Sequence, residues 1–360
     1  MDAREKLKEM LNAHPAGAPD HPALDEILGL LFSPEETALA VHMGFAPRSP
    51  GGIAADAGVS EAEARALCES MADKGVVYAR EKAGETSYAL LPTVPGLFEF
   101  PLMAGAKTPV QRRLAELWKE YHDGPMGLEF AASKTPFARI IPVEQTVAGN
   151  VEVLPFDVLT AMMDKSSFFA LAECACRVLE NRCGRSTDTC LLFDSAARFL
   201  AGRGLAREIS RDQAAEVLAR TEKEGLVHTT NNSADRLSFI CNCCGCCCTI
   251  LRGRTHHKLS TAFAPSRYVA RVDPELCIGC GVCAEERCPV GGIEMEDYLA
   301  RVNEAECIGC GLCATTCAEE ALSMGPRAPA PATPATMAEM GLAVASEKGR
   351  LEAFFKLMKK

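Results

Sequence analysis

The chain has 360 residues, of which 48% are hydrophobic, so it can form two or three domains that each bury a core. Its net charge is −10, and one Trp and 6% aromatic residues argue against a base-stacking or aromatic-lined carbohydrate site. No run of about 18 apolar residues occurs, so no membrane span is predicted. The N-terminal residues MDAREKLKEM have no signal-peptide core, and we therefore expect a cytoplasmic protein.

The first part of the chain predicts helices followed by a β-hairpin. Residues 1–22 predict a helix and a Pro-rich linker. Ser60 and Glu63 then predict a capping box at the start of a helix that ends at Gly75. Two strand-like segments follow. This order is typical of a winged helix-turn-helix, which we expect over residues 23–105.

The helix of this unit that would enter a DNA groove, EAEARALCESMADKG, is net acidic. It has three Glu and one Asp against one Arg and one Lys. Non-specific DNA affinity comes from Lys and Arg that neutralise phosphates. We therefore expect the winged helix to dock a protein or to form a homodimer, with a redox-responsive DNA-binding regulator as the alternative.

The middle of the chain, residues 106–264, predicts a Cys-rich α+β domain. It begins with an amphipathic helix at 110–123. Residues 137–173 predict strand, helix and strand, and residues 191–201 predict a helix. Residues 326–360 predict a Pro/Ala linker and one tail helix that folds back on the body or docks a partner. The predicted fold class is α+β.

Cysteine is the most informative residue type in this sequence. Of nineteen cysteines, eighteen lie between Cys174 and Cys317. Clustered thiols in a reducing compartment indicate metal ligands rather than disulfides. The remaining one, Cys68, lies on an apolar helix face and is predicted to be in the core.

The strongest motif spans residues 277–317 and reads CxxCxxCx4CP followed by CxxCxxCx3C. Two-residue gaps let one turn direct three sulfurs at a cubane, while the fourth thiolate crosses to the other cluster. Two [4Fe–4S] clusters are therefore predicted. Two zinc sites fit less well, because cysteine-only zinc sites usually pair two distant CxxC knuckles. The predicted ligands are Cys277, Cys280, Cys283 and Cys317 for one cluster, and Cys307, Cys310, Cys313 and Cys288 for the other.

Ten further thiols occupy two segments upstream of this motif. Adjacent cysteines cannot all point at one metal because neighbouring side chains diverge, so we expect some to bind metal and others to face the core or exchange disulfides. A third [4Fe–4S] cluster is the preferred interpretation, with structural zinc or a redox-active thiol site as alternatives. The best spacing for a self-contained set belongs to Cys174, Cys176, Cys183 and Cys190; the others are Cys241, Cys243, Cys244, Cys246, Cys247 and Cys248.

Charge is distributed unevenly near these motifs. Residues 241–272 contain five basic residues and no acid, whereas residues 273–320 contain eleven acids and two Arg. The basic segment could offset the charge of thiolate-ligated clusters, dock an acidic partner, or reflect ordinary surface variation. Its basic residues are Arg252, Arg254, Lys258, Arg267 and Arg271.

Taken together, the winged helix, the CACR segment at 174–177, the GLVH and ICNCCGCCC segments at 225–248 and the dicluster motif resemble the 4Fe–4S binding, ferredoxin-type proteins of anaerobic bacteria and archaea. The resemblance implies cluster binding and a role in anaerobic redox metabolism. It also implies a ferredoxin-like (βαββαβ-type) module, expected over residues 265–325. Two features depart from the ferredoxin pattern without removing a ligand: an extra residue before Cys288, and Ala318 where the pattern has Pro.

Other cofactors leave no recognisable motif. The sequence has no GxGxxG that opens a helix, no phosphate-binding GxxxxGK[ST] loop and no CxxCH for haem. We therefore expect an electron-transfer protein that serves a partner oxidoreductase, with no catalytic residue of its own. A reductive enzyme with a catalytic cluster or dithiol in the Cys-rich domain is the alternative.

Overall fold

The computed structural model describes residues 2–147 and 153–358 and has an α+β fold. Residues 148–152, between the first predicted strand and helix of the middle domain, lie outside the described residues. So do residues 359–360, at the end of the predicted tail helix. Every helix within those residues is too short or too polar to cross a membrane.

The N-terminal region consists of five helices and a β-hairpin. Side-chain caps start several of these helices: the hydroxyl of Ser60 accepts a hydrogen bond from the Glu63 amide at 3.2 Å. The order of elements is the one that the sequence predicts for a winged helix. The helices are α1 (Ala3–Ala13), α2 (Pro22–Leu31), α3 (Pro34–Ala40), α4 (Pro50–Ala57) and α5 (Glu61–Asp73), and the strands are β1 (Val77–Lys82) and β2 (Glu85–Leu90).

One hydrophobic core joins these elements to the next two helices, α6 (Pro109–Asp123) and α7 (Pro125–Glu129). Trp118 and Tyr121 of α6 are fully buried in it. Helix α6 therefore packs with the N-terminal helices, although the sequence predicts that the Cys-rich domain starts at residue 106. Cys68 is also fully buried in this core, and burial raises the pKa of its thiol to about 12.

A six-stranded antiparallel sheet forms the middle of the molecule. Its strands are β3 (Ala138–Ile140), β4 (Phe169–Glu173), β5 (Asp188–Phe193), β6 (Arg207–Ile209), β7 (Val227–Asn231) and β8 (Phe239–Cys243), in the order β3-β7-β8-β5-β4-β6. The helices of this region are α8 (Leu159–Met163), α9 (Ala175–Glu180), α10 (Asp194–Gly202), α11 (Arg211–Lys223) and α12 (Thr249–Thr255).

The predicted helix at 191–201 is wrong in its first part, where the chain forms strand β5. The side chains of Leu191 and Leu192 point to opposite faces of the sheet and enter two different hydrophobic cores. A strand that is buried on both faces has a continuous apolar run, which periodicity does not distinguish from a buried helix.

The C-terminal region contains two small antiparallel sheets and a helical tail. Strand β9 (Tyr268–Val272) pairs with β12 (Leu322–Pro326), and β10 (Ile293–Glu296) pairs with β11 (Leu299–Val302). Single helical turns, Cys283–Arg287 and Ala314–Thr316, stand where a βαββαβ arrangement has its helices.

The tail forms two helices, α13 (Met337–Glu347) and α14 (Leu351–Met358), rather than the single predicted helix. It folds back on the body of the protein. The Lys348 ammonium is 2.8 Å from the buried carboxylate of Glu129, and the ring of Phe354 packs against His14.

Candidate metal centres

The C-terminal cysteines lie in two copies of one structural unit. YVARVDPELCIGCGVC at 268–283 and YLARVNEAECIGCGLC at 298–313 are related by a shift of 30 residues. In each copy a side chain, Asp273 or Asn303, accepts a hydrogen bond from the backbone amide two residues later, at 2.9 and 3.1 Å. This repeat is a signal in the sequence that the two cysteine loops are equivalent.

The two copies hold each other in place through their glycines. Gly279 and Gly309 have φ values of +73° and +71°. A Cβ at Gly279 would clash with the carbonyl oxygen of Tyr298, and one at Gly309 would clash with that of Tyr268. Each cysteine loop therefore lies directly against the first residue of the other copy's repeat, an approach that only glycine permits.

The structure brings Cys288 together with three cysteines of the second copy. These four thiols line a small cavity of about 20 Å³. The amide of Gly292 donates a hydrogen bond to the sulfur of Cys288 at 3.1 Å. Burial, together with the charges of Cys288 and Cys307, raises the pKa of the Cys310 thiol to about 12. The four residues are Cys288, Cys307, Cys310 and Cys313.

The first copy groups Cys277, Cys280 and Cys283. Burial raises the pKa of Cys283, and the charges of Cys280 and Cys277 act in the same direction. Cys317 packs in the same apolar core as Cys277 and Cys283. The extra residue before Cys288 is absorbed by a π-turn, in which the Cys288 amide donates to the Cys283 carbonyl at 3.0 Å. Convergent thiols, an N–H···S bond and apolar packing fit [4Fe–4S] ligation.

The ten thiols of the middle region separate into two groups. The first is compact: the sulfurs of Cys183, Cys244, Cys246 and Cys247 all lie within 4.8 Å of one another. The sequence spacing had grouped Cys183 with Cys174, Cys176 and Cys190 instead. The expectation that adjacent cysteines diverge holds for Cys247 and Cys248 but not for Cys246 and Cys247, whose sulfurs are 3.7 Å apart.

The other six thiols, three of them buried and three half-buried, form a continuous row that we call the thiol wall. Each thiol interacts with its neighbours along the wall. Thr229 and Thr249 lie beside it, with hydroxyls 3.3 Å from the Cys243 sulfur and 3.5 Å from the Cys176 sulfur. In spatial order the wall consists of Cys190, Cys241, Cys243, Cys248, Cys176 and Cys174.

The thiol wall borders a cavity of about 470 Å³. Aromatic and aliphatic side chains from the N-terminal region, the sheet and helices α13 and α14 form the remaining sides, among them Phe98, Phe239 and Met340. Burial lowers the pKa of His14 to about 3 and raises that of Glu99 to about 7. Apart from its thiols and Glu99, the described side chains that line the cavity therefore carry no charge at neutral pH.

A buried arginine separates the two thiol groups. Arg177 of α9 is 3% exposed, and its guanidinium donates 2.7 Å hydrogen bonds to the carbonyl oxygens of Ser186 and Asn242. Burial lowers its pKa, but the charges of Cys174, Cys243 and Cys244 outweigh this and raise the pKa above its usual value. A thiolate at any of these three positions therefore interacts favourably with this cation.

The compact thiol group touches the C-terminal repeats. A Cβ at Gly245, between Cys244 and Cys246, would clash with the carbonyl oxygen of Pro289, the residue after Cys288. The Arg287 guanidinium fixes this contact by donating to the carbonyl oxygens of Lys223 and Glu222, both at 3.1 Å. One van der Waals contact thus joins the two thiol-bearing loops.

Most of the basic segment pairs with carboxylates of this chain. Arg252 is 2.5 Å from Asp123 and 2.6 Å from Glu180. Arg254 pairs with Glu306 at 3.2 Å, Arg267 with Asp157 at 3.6 Å, and Arg271 with Glu304. These four arginines therefore stabilise contacts within the protein, two of them with the acidic C-terminal region.

Comparison with known proteins identifies only the C-terminal repeats. The family of 4Fe-4S dicluster domains matches residues 270–318. No curated protein and no solved structure matches the chain. The protein therefore carries an iron–sulfur-binding 4Fe–4S dicluster domain of ferredoxin type in its C-terminal third.

Proposed function

We propose that this protein is an electron carrier that exchanges single electrons with a partner oxidoreductase in cytoplasmic, anaerobic redox metabolism. The observation that carries the proposal is the position of Cys288. It lies with Cys307, Cys310 and Cys313 round one cavity, as the crossed ligation of a two-cluster domain requires. The proposed ligands are the two sets of four cysteines that the sequence predicts. Cys288 and the three cysteines round its cavity bind one cluster, and the other cluster is bound by Cys277, Cys280, Cys283 and Cys317.

A bound [4Fe–4S] cluster supplies reversible one-electron chemistry, and the chain controls the surroundings of its ligands. The Gly292 amide donates to the Cys288 sulfur and stabilises its negative charge. Ile308 and Leu312, each 1% exposed, keep water from the second set of thiols. Low polarity and N–H···S bonds are the means by which a protein sets the reduction potential.

The surface next to the first set of cluster ligands, which includes Cys280, suits the binding of a partner protein. Cys280 is exposed, Ile278 is 68% exposed and Tyr298 is 89% exposed. Acidic residues lie beside this apolar patch in the sequence, among them Glu275 and Asp297. We infer that a redox partner with a basic rim docks here, because charge complementarity speeds encounter more than it raises affinity.

Iron and sulfide analysis tests the proposal. The anaerobically purified and reconstituted protein should contain at least about eight iron and eight acid-labile sulfide per chain and show [4Fe–4S] signals in EPR after reduction. Cys310→Ser should lower both counts markedly, whereas the matched variant Cys68→Ser, in the N-terminal core, should leave them unchanged. A wild-type count of only about four iron would contradict the proposal.

A second candidate function is reduction of an organic molecule in the cavity beside the thiol wall. Its volume of about 470 Å³ and its largely uncharged lining suit a neutral, apolar compound. Gly341 of α13 lines this cavity, and a Cβ at Gly341 would meet no atom within 4 Å.

Dye binding tests whether the cavity takes such a compound. The neutral dye Nile red should bind the wild-type protein with increased fluorescence, and Gly341→Trp should abolish binding by filling the cavity. Gly202→Trp is the control, because Gly202 also has open space beside it but does not line the cavity. Equal binding by all three proteins would count against this function.

A further inference from the structure

The compact thiol group has the dimensions of a site for one metal ion. Three pairs of its sulfurs are close: Cys183 and Cys247 at 3.6 Å, Cys246 and Cys247 at 3.7 Å, and Cys183 and Cys244 at 3.9 Å. A tetrahedron of four thiolates at about 2.3 Å from a central zinc ion has edges of about 3.8 Å. These three separations match this value closely, and the other three pairs lie within 4.8 Å.

The same separations are too short for a cubane. A [4Fe–4S] cluster places four iron atoms between its four thiolates, which must therefore stand further apart than ligands of one ion. The dicluster domain provides an internal reference for this spacing. Among the described residues, no three of its eight cysteines lie within 4.8 Å of one another, and the compact group is alone in doing so.

The surroundings of the group suit a site with a net negative charge. Four thiolates around one divalent ion carry an excess charge of −2. The buried guanidinium of Arg177 interacts with Cys244 and can offset part of this charge. Leu226, which is fully buried, packs against Cys244 and Cys247 and covers the group on the protein side.

We propose that Cys183, Cys244, Cys246 and Cys247 bind one divalent ion that accepts four thiolates in tetrahedral geometry, zinc or ferrous iron, rather than a third cubane. Cys183 comes from the loop after α9, and the other three come from the loop between β8 and α12. The ion fastens these two loops together at the contact between Gly245 and Pro289, and so stabilises the docking of the C-terminal repeats.

The ratio of metal to sulfide in the full-length wild-type protein tests this directly. Any number of cubanes contributes equal amounts of iron and acid-labile sulfide, so their difference is zero. One mononuclear site makes the sum of zinc and iron exceed sulfide by one per chain. If the additional metal ion is zinc, the site binds zinc; if it is iron, the site binds iron. This difference does not depend on how many clusters the dicluster domain holds, so the proposed function can fail independently.

A variant pair and a spectrum complete the test. The double variant Cys246→Ser/Cys247→Ser should lose the single excess ion but contain as much sulfide as the wild type. The matched double variant in the thiol wall, Cys241→Ser/Cys243→Ser, should keep the excess ion. Should the first variant fail to fold, wild-type protein grown with Co²⁺ should show the visible absorption of a tetrahedral Co²⁺ tetrathiolate. A metal-to-sulfide difference of zero, or loss of about four iron and four sulfide from the first variant, would overturn the proposal.

Discussion

At the scale of single residues, Arg177 shows how the Cys-rich region manages charge. Most buried arginines pair with a carboxylate, as Arg139 does with Asp157 at 3.3 Å. Among the described residues, Arg177 has hydrogen bonds to two carbonyl oxygens and to the hydroxyl of Thr189, but none to a carboxylate. A buried charge is costly without a counterion, so thiolates must supply the negative charge.

We expect Arg177→Met to weaken metal binding at the compact thiol group by about 10- to 100-fold, the usual effect of losing a group that supports a metal ligand. Competition between the protein and a chromophoric chelator for Zn²⁺ measures this. Arg139→Met is the control, since Arg139 is equally buried but faces no thiol of the group. Equal losses of affinity in both variants would show that the effect is general destabilisation.

At the scale of elements, helix α5 has a surface that is already used within the protein. Helix α5 presents Glu69 and Asp73 to Arg203 of the middle region, with the Glu69 pair at 2.8 Å. The face of α5 that carries these carboxylates is therefore held against the middle region, which argues against its entry into a DNA groove. A gel shift at low salt with sequence-specific retention would reverse this interpretation.

The cysteine loops yield a prediction at this scale. Gly309→Ala should lower iron and sulfide content by about half, because φ is +71° and the new Cβ would clash with the Tyr268 carbonyl. Gly291→Ala is the matched control: its φ is +69°, but a Cβ there meets no atom within 4 Å. It should cost only about 1 kcal/mol of backbone strain and keep its iron. Equal iron content in both variants would show that loop contact does not control assembly.

At the scale of the whole molecule, burial of neutral histidines makes the fold sensitive to acid. Burial lowers the pKa of His14 and of His122 to about 3, and that of His228 to about 4. The unfolded chain takes up these protons near pH 6.5. The stability that these groups contribute is therefore present above pH 6.5 and is lost as the pH falls towards 4.

His228→Gln should remove part of this dependence. Between pH 6.5 and 4, the wild-type free energy of unfolding should fall relative to that of the variant by about 3 kcal/mol in total. Anaerobic denaturant titrations of both proteins at each pH measure the difference between their free energies of unfolding. Acid lability of the metal centres affects both proteins equally and does not contribute to this difference. Exposed His256→Gln serves as the control and should follow the wild type. Parallel curves for wild type and His228→Gln would contradict the assignment.

The sequence by itself determined the features that depend on local spacing. Two-residue gaps between cysteines fit within one turn, so the dicluster motif was recognisable without knowledge of the rest of the fold. The helix cap at Ser60 was readable for the same reason. The mixture of helices and strands followed from the same local patterns.

Only the tertiary structure decided how the ten other thiols divide. Cys183 reaches Cys244, Cys246 and Cys247 because strand β8 pairs with both β5 and β7 and so brings distant loops to one edge of the sheet. Such pairing is set by packing between strands that are far apart in the chain, and no spacing along the sequence encodes it. Packing between distant segments also explains why the sequence of β5 resembled a helix and why α6 packs with the N-terminal core.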